Sequence, residues 1–425
     1  MTTTIEDLKA REILDSRGQP TIEVICTTNY GHTATASVPA GASTGGHEAA
    51  ELRDNDPKRF DGRGVLSVIA AVQGEIREAL AGMPVAEQRA IDDRLVNLDG
   101  TDNKSRLGAN AILGVSMAVA RAGARAAEVP LYRYLGGDDS HRLPIPSFNV
   151  LNGGAHAAWQ GADFQEYMAM PHGAAHFSDA LRWATDIYRR LKDMLKEQGI
   201  GTGVGDEGGF APTVQSNRQP LDWLLGAIEN AGLRPGRDVS LAFDAAASEL
   251  RPDHDYELSA EGRSLTADEL IEYYEDLAAD YPIRLLEDGL HEDDWAGWQR
   301  LNRQLGDRLT LVGDDIFVTQ SAYIERGIHL KCANAVLIKL NQVGTVSETV
   351  DAVGLAHSAG WETMVSHRSG ETTDDFIADL AVAVGSRYIK SGAPARGERV
   401  AKYNRLMAIE AELGARATFA GGEDQ

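Results

Sequence analysis

The sequence predicts an α/β barrel preceded by a smaller α+β domain, and three observations carry that prediction. After residue 239, short apolar runs alternate with helix-like stretches at a steady pitch. Each run ends on a polar or charged side chain. Ahead of them lies a stretch of different pattern, closed by a polar segment that leads into Pro144 and Pro146. The 425 residues suffice for one barrel of about 250 residues and a cap.

Residues 5–30 read as a β-hairpin. Asp15-Ser16-Arg17-Gly18 supplies the turn, and Thr21-Ile22-Glu23-Val24-Ile25 alternates as a strand does. Helices are expected over 65–80 and 108–127, the second rich in Ala and Gly and so suited to close packing. Asp138-Asp139-Ser140-His141-Arg142-Leu143-Pro144 is polar and turn-forming, which divides the chain into 1–138, an α+β cap, and 139–425, the α/β barrel. Six runs follow, ending at Asp244, Glu287, Asp314, Lys339, His367 and Lys390. Their intervals of 43, 27, 25, 28 and 23 residues each fit one strand–helix unit, with helices over 266–280 and 346–358 among the fillers. Strands alternating with helices at this pitch predict a parallel sheet, closed by so many units into a barrel.

Composition narrows the function. Lys and Arg total 41 against 64 Asp and Glu, a formal net charge of −23. Such a surface repels phosphodiester backbones and anionic lipid, so no nucleic acid and no membrane is expected as partner. Cys26 and Cys332 are the only cysteines, too few for a disulfide framework or a four-thiolate zinc site. Glu6 and Asp7 stand where a signal peptide would be apolar, and the apolar run near 111–120 stops at Arg121. A cytoplasmic protein is expected.

In an α/β barrel the C-terminal strand ends face the active site. One charge there could be a solvated loop residue; six in succession argue for chemistry. Asp244, Glu287 and Asp314 would bring three carboxylates into one cavity, where mutual repulsion calls for a divalent cation. Oxygen ligands without His or Cys select Mg²⁺. Lys339 and Lys390 follow on later strand ends. A lysine beside a dication is driven towards the neutral amine, and bringing it from about 10.4 to near neutrality takes roughly 4 kcal/mol. Such an amine suits proton abstraction from carbon. His367-Arg368-Ser369 offers a guanidinium and a hydroxyl to a phosphate. Glu207, in the Gly-rich stretch 203–212, and Glu166 are carboxyls available as the opposing acid. Gly203-x-Gly205-x-x-Gly208 matches a dinucleotide fingerprint formally, but Asp206 and Glu207 fill the place of a pyrophosphate and Pro212 follows instead of a helix.

These residues lie in motifs that resemble the enolase family over nearly the whole chain, from about 10 to 413. The motifs are Ala10-Arg-Glu-Ile-Leu-Asp-Ser-Arg-Gly18, Pro39-Ala-Gly-Ala-Ser-Thr-Gly45, Val204-Gly-Asp-Glu-Gly-Gly-Phe-Ala-Pro212 and Leu286-Glu-Asp-Gly-Leu290. Gly313-Asp-Asp315, Ser366-His-Arg-Ser-Gly-Glu371 and Gly392-Ala-Pro-Ala-Arg396 extend the series. The resemblance implies an enolase-type α/β barrel with an N-terminal capping domain, and dehydration of 2-phosphoglycerate to phosphoenolpyruvate in glycolysis. It implies Asp244, Glu287 and Asp314 as ligands of a first Mg²⁺, and Ser43, on the loop 40–46, as a ligand of a second. Lys339 matches the base at C2, Glu207 the acid at the C3 hydroxyl, and Glu166 its helper. Gln165, Arg368, Ser369 and Lys390 match substrate contacts, His367 lies among them, and His156 matches a lid residue near the phosphate. A lysine base working with Mg²⁺ is known superfamily chemistry, here carried over by resemblance. A homodimer or an assembly of dimers is likewise implied.

The lid departs from the family. Between His156 and Glu166 the chain carries one residue more than usual, with Trp159 in a normally polar stretch. Ser147-Phe148 replaces a pair of methionines, Gln19 an Asn, Thr373 a Glu and Gly397 a Ser. One inserted residue shifts a contact by an ångström or more, enough to alter specificity. The alternative is therefore a paralogue acting on a phosphono-carboxylate, similar to carboxyphosphonoenolpyruvate synthase of phosphonate-antibiotic pathways.

Overall fold

The computed structural model describes residues 2–41, 45–251 and 255–421. Strands β1 (Ile5–Leu14), β2 (Pro20–Thr28) and β3 (Thr33–Ser37) form an antiparallel sheet in that order. The expected turn joins β1 to β2, with Asp15 Oδ1 accepting the backbone N–H of Arg17 and of Gln19, both at 2.8 Å. Gly18 adopts the positive φ of 71° that closes it. Helix Ala109–Ala126 covers the sheet. It comes close because Gly114 has no side chain: a Cβ there would stand 2.7 Å from Val24 Cγ2.

The helix expected over 65–80 is less regular than its periodicity suggests. Leu66–Ala71 and Arg77–Leu80 are α-helical, but Val72–Ile76 between them is π-helical, with Gly74 at φ −100°, ψ −107°. Glycine tolerates that backbone, and the widened turn still buries Val72 and Ile76.

After β4 (Arg142–Leu143) come β5 (Ile145–Asn152), β6 (Glu166–Met170) and β7 (Ser240–Asp244). A hairpin of β8 (Tyr256–Leu258) and β9 (Arg263–Leu265) lies outside the barrel. Then follow β10 (Ile283–Glu287), β11 (Thr310–Gly313), β12 (Ala335–Ile338), β13 (Glu362–Ser366) and β14 (Tyr388–Lys390). Short β15 (Thr418–Phe419) pairs with β4. The barrel closes in the order β10-β11-β12-β13-β14-β5-β6-β7. All six predicted runs are barrel strands, and the helices Ala267–Asp280 and Val346–Ser358 lie between them as expected. Thr266 caps the first with a reciprocal capping box to Glu269.

The wholly parallel sheet needs correction. Strand β6 runs antiparallel to both β5 and β7. No helix separates β5 from β6, only the loop 153–165, so the chain returns beside itself as a hairpin does. Descending β6 leaves the chain at the barrel floor. Helix Phe177–Glu197 then climbs the outside, the loop 198–217 crosses the rim, and helix Arg218–Asn230 descends to β7. This detour places both Glu166, the first residue of β6, and Glu207 at the same end as the other strand tips. Among the described residues, no helix is long and apolar enough to cross a membrane.

Candidate active site

The strand register gathers the predicted residues at one mouth. Glu166 pairs with Asn152 and with Asp244, and Asp244 with Glu287. Asp314 directly follows β11, Lys339 follows β12, and Ser366 pairs with Lys390 ahead of His367. A cleft at this mouth is lined by Gly41, His156, Gln165, Glu166, Glu207, Asp244, Asp314, Lys339, His367, Arg368, Ser369 and Lys390. Glu287 is 1% exposed and contacts Lys390 Nζ at 2.8 Å through both oxygens. Ser43 lies outside the described residues.

The carboxylates and lysines form one charge network. Lys390 Nζ donates to Asp244 at 3.1 Å and stands 3.0 Å from Glu166. Lys339 Nζ donates to Asp314. Burial would strip the proton from Lys390, but Asp244, Glu166 and Glu287 outweigh it and hold the amine well above its ordinary value. Burial and the neighbouring Asp244 push Glu287 up to about 8. Asp314 is disfavoured by burial too, yet Lys339 and Gln342 beside it hold its carboxyl low.

The near-neutral amine expected of Lys339 is that of a lysine beside a dication. Burial favours loss of its proton, but Asp314 outweighs burial and holds the amine above its ordinary value. Its basicity therefore depends on where the charge of Asp314 is spent.

The donor set fits a hard dication. Asp244, Glu287 and Asp314 come from the adjacent strands β7, β10 and β11, are all buried, and bring only oxygen. The protein's own ammonium groups already sit on these oxygens, which marks the position as one built for positive charge. Two tighter groupings also exist among the described residues, each with ligand atoms within 4.8 Å: His156 with Glu166 and Glu207, and Asp288 with Asp314 and Asp315. Asp288 is already committed, since its oxygens accept the backbone N–H of Asp314 at 2.8 Å and of Asp315 at 3.2 Å. It orients Asp314 from behind.

Glu166 and Glu207 are pushed in opposite directions. Burial and the charge of Glu207 raise Glu166 well above the carboxylate range. Burial also works against an ionised Glu207, but His367 and His156 beside it outweigh burial and hold it low. Asn149 Nδ2 donates to Glu207 Oε2 at 3.0 Å, and His367 Nε2 faces the same oxygen at 3.4 Å. The backbone holding Glu207 is pinned as well: Ala393 N–H donates to its carbonyl at 2.9 Å, and the Tyr188 hydroxyl to that of Gly208 at 2.6 Å. Gly209 allows this approach, since a Cβ there would meet Asn152 Oδ1 at 2.5 Å and Asn149 Oδ1 at 2.9 Å.

Arg368 is held by Glu48, with contacts of 2.9 and 3.2 Å. Glu48 also accepts from Gln342 at 3.3 Å, and Gln342 donates to Asp314 at 2.8 Å. His156 sits in the short 3₁₀ turn Gly154–Ala157, and the next two residues, Ala158 and Trp159, both take positive φ. The Trp159 side chain is half exposed on this loop.

Sequence reasoning missed Asn149, Asp288, Glu48, Gln342 and Arg399. Asp288 stood inside a quoted motif beside Glu287, so its adjacency was a usable signal. Asn149 required β5 to be recognised as a barrel strand. Glu48, Gln342 and Arg399 act through distant partners and left no local mark.

Comparison with known proteins agrees with this architecture. A family model described as the enolase N-terminal domain matches residues 5–135, and one described as the enolase C-terminal TIM barrel domain matches residues 140–425. "Enolase 1" of Methanospirillum hungatei is 58% identical over 417 residues, covering 98% of this chain and 97% of its own length. "Enolase" of Acidothermus cellulolyticus is 57% identical over 417 residues, covering 98% and 96%. "Enolase 2" of Pseudomonas syringae pv. syringae is 55% identical over 421 residues, covering 99% of each chain. With both halves matched in order and a closed eight-stranded barrel beneath the site, the chain belongs to the enolase family of carbon–oxygen lyases.

Proposed function

We propose that the protein converts 2-phosphoglycerate to phosphoenolpyruvate by Mg²⁺-dependent dehydration. The observation that carries this reading is the order of chemistry around the barrel. Lys339 follows β12, and four strands away, directly opposite, Glu166 begins β6 with Glu207 beside it. One arc between them, β7-β10-β11, carries Asp244, Glu287 and Asp314; the other, β13-β14, leads into His367, Arg368, Ser369 and Lys390. A substrate across this ring meets a base on one side and an acid on the other, its carboxylate towards the three acids and its phosphate towards Arg368 and Ser369.

In this reading Asp244, Glu287 and Asp314 hold the first Mg²⁺ and Ser43 contributes to the second. When bound, the cations offset the charge that develops on the substrate carboxylate as the C2 proton leaves. Lys339 takes that proton once Asp314 is engaged elsewhere. Glu207 and Glu166 act as one titrating pair at the C3 hydroxyl. The proton of the pair rests on Glu166; as the anionic substrate approaches it passes to Glu207, which delivers it to the departing C3 hydroxyl and leaves both carboxyls ionised. Gln165 and Lys390 position the substrate, His367 stands beside Glu207, and His156 rides on the lid. The capping unit 1–138, the barrel unit 139–425, a cytoplasmic location and a homodimer or assembly of dimers belong to the same reading.

Turnover of 2-phosphoglycerate, with and without excess Mg²⁺ and chelator, tests it. Chelator-sensitive formation of phosphoenolpyruvate is expected; folded, Mg²⁺-binding protein without turnover would overturn it. One observation favours the second reading, a phosphono-carboxylate substrate: Trp159 stands half exposed on the turn beside His156. Loss of 2-phosphoglycerate turnover together with processing of a phosphono-carboxylate would select it.

A further inference from the structure

Arg399 is 0% exposed and lies beneath the catalytic loops. Its Nη1 donates to His367 Nδ1 at 2.5 Å and to the Arg368 carbonyl at 2.6 Å. Its Nη2 donates to the carbonyls of Ser369 at 2.6 Å and Asp206 at 3.1 Å. One guanidinium thus ties the tip of β13 to the residue preceding Glu207. Gly392 makes room for it, since a Cβ there would stand 3.0 Å from Arg399 Cδ.

A guanidinium only donates hydrogen bonds. His367 Nδ1 must therefore accept, and a neutral imidazole that accepts at Nδ1 carries its proton on Nε2. Nε2 stands 3.4 Å from Glu207 Oε2, outside hydrogen-bond geometry, and has no hydrogen-bond partner of its own. The ring is neutral: burial and the adjacent Arg399 outweigh Glu207 and bring His367 down to about 3. The charged groups around it are Glu207, Arg399 and Lys390.

We propose that Arg399 is a positioning residue that fixes His367 as the Nε2–H tautomer, so that the ring presents an N–H, not a lone pair, to the side of Glu207 throughout turnover. The inference rests on Glu207 being the acid of the reaction. In the opposite tautomer a lone pair would face the carboxylate, repelling it when ionised and competing for its proton when protonated.

The test begins with full-length wild-type protein labelled with ¹⁵N-histidine. The two ring nitrogens of His367 are identified by the signals that His367→Gln removes. An Nε2–H ring is expected, and an Nδ1–H ring would overturn the proposal. In Arg399→Lys the second tautomer should appear, kcat should fall about 10²-fold and KM should stay within a few-fold. The same loss with the tautomer unchanged would make Arg399 a brace only and overturn the proposal. In the His367→Gln background, Arg399→Lys should cost little more, whereas a repeated 10²-fold loss would count against action through the ring. Should Arg399→Lys fail to fold, His367→Gln, which keeps an N–H, must retain at least about ten times the turnover of His367→Leu. Equal turnover in those two would overturn the role of the N–H. If Glu207→Gln turned over normally, the acid assignment would fall, while the tautomer spectrum would still decide what Arg399 does.

Discussion

Replacing Asp374 with Asn should loosen the contact between the N-terminal sheet unit and the barrel. Arg121, on the helix that covers β2 and β3, donates to Asp374 at 2.5 and 3.0 Å, and Asp374 also accepts from the Ser37 and Phe376 backbones at 2.9 Å. The two side chains are 17% and 8% exposed, so the pair is shielded from solvent screening. Breaking a buried pair from one side costs about 3–5 kcal/mol. Asp375 keeps a 2.7 Å contact with Arg121, which argues for the lower figure of about 3 kcal/mol. At about 2.1 cal/mol/K per residue, a chain of 425 residues melting as one unit would lose about 3 °C. If the N-terminal unit, residues 5–135, melts first, the loss grows to about 10 °C. Scanning calorimetry distinguishes these cases. Burial opposes ionisation of Asp374, but Arg121 outweighs it and holds the carboxyl below its ordinary value. The contribution is thus complete above the unfolded value near 3.8 and fades as pH falls through the lower folded one. The deficit of the variant should shrink below about pH 4. An Asp374→Asn protein melting within 1 °C of wild type at pH 7 would refute the reasoning, as would a double-mutant cycle with Arg121→Gln showing coupling under about 0.5 kcal/mol.

Further outcomes can be stated briefly. Lys339→Ala should lower kcat by about 10³-fold and abolish exchange of the C2 proton while the circular dichroism spectrum is kept; retained exchange would remove Lys339 as base. His367 is near 3 in the folded chain and titrates near 6.5 once unfolded, so the unfolded chain binds the extra proton between those values. Stability is therefore full above about pH 6.5 and should fall by up to ~1.4 kcal/mol per pH unit as pH drops towards 3, a slope that urea titrations of His367→Gln should show flattened. Burial pushes the Cys26 thiol up to about 12 and that of Cys332 up to about 11; neither should react with a disulfide reagent at pH 8 until denaturant is added. Gly153→Ala would place a Cβ 2.4 Å from the carbonyls of Ala162 and Phe164 at the base of the lid. It should raise KM in protein that remains folded, and an unchanged KM would separate the lid from substrate binding.

What could be read in advance follows a physical line. The six strands ending on Asp244, Glu287, Asp314, Lys339, His367 and Lys390 were legible because apolar runs buried on both faces stand out against amphipathic helices. The two strands ahead of them were not. Buried β5 includes Pro146, Asn149 and Asn152, and β6 begins on Glu166 instead of ending on a charge, so neither fitted the pattern. For the same reason the reversal of β6 was hidden: direction depends on whether the connection carries a helix, and 153–165 carries only a short 3₁₀ turn. The π-helical turn at Gly74 was invisible because it leaves the apolar spacing nearly intact. At the site, side-chain identities could be read locally, but protonation could not. Whether Lys339 is basic, or which of Glu166 and Glu207 keeps a proton, depends on neighbours brought in from strands up to half the barrel away.

The closing seam of the barrel joins β14 to β5, pairing Lys390 with Ser147 and Tyr388 with Ile145. Partners so far apart in sequence meet late, after the entropy of a long loop has been lost. During synthesis the first strand of the barrel must wait for nearly the whole chain to leave the ribosome before its second neighbour exists. Until then β5 has an open edge, and Asp244, Glu287 and Glu166 face one another without the ammonium of Lys390 between them. A nascent chain halted before residue 388 would hold mutually repelling acids beside an unpaired strand. Such a chain should be aggregation-prone and should depend on chaperones, and it should gain compactness abruptly once the last strand is made.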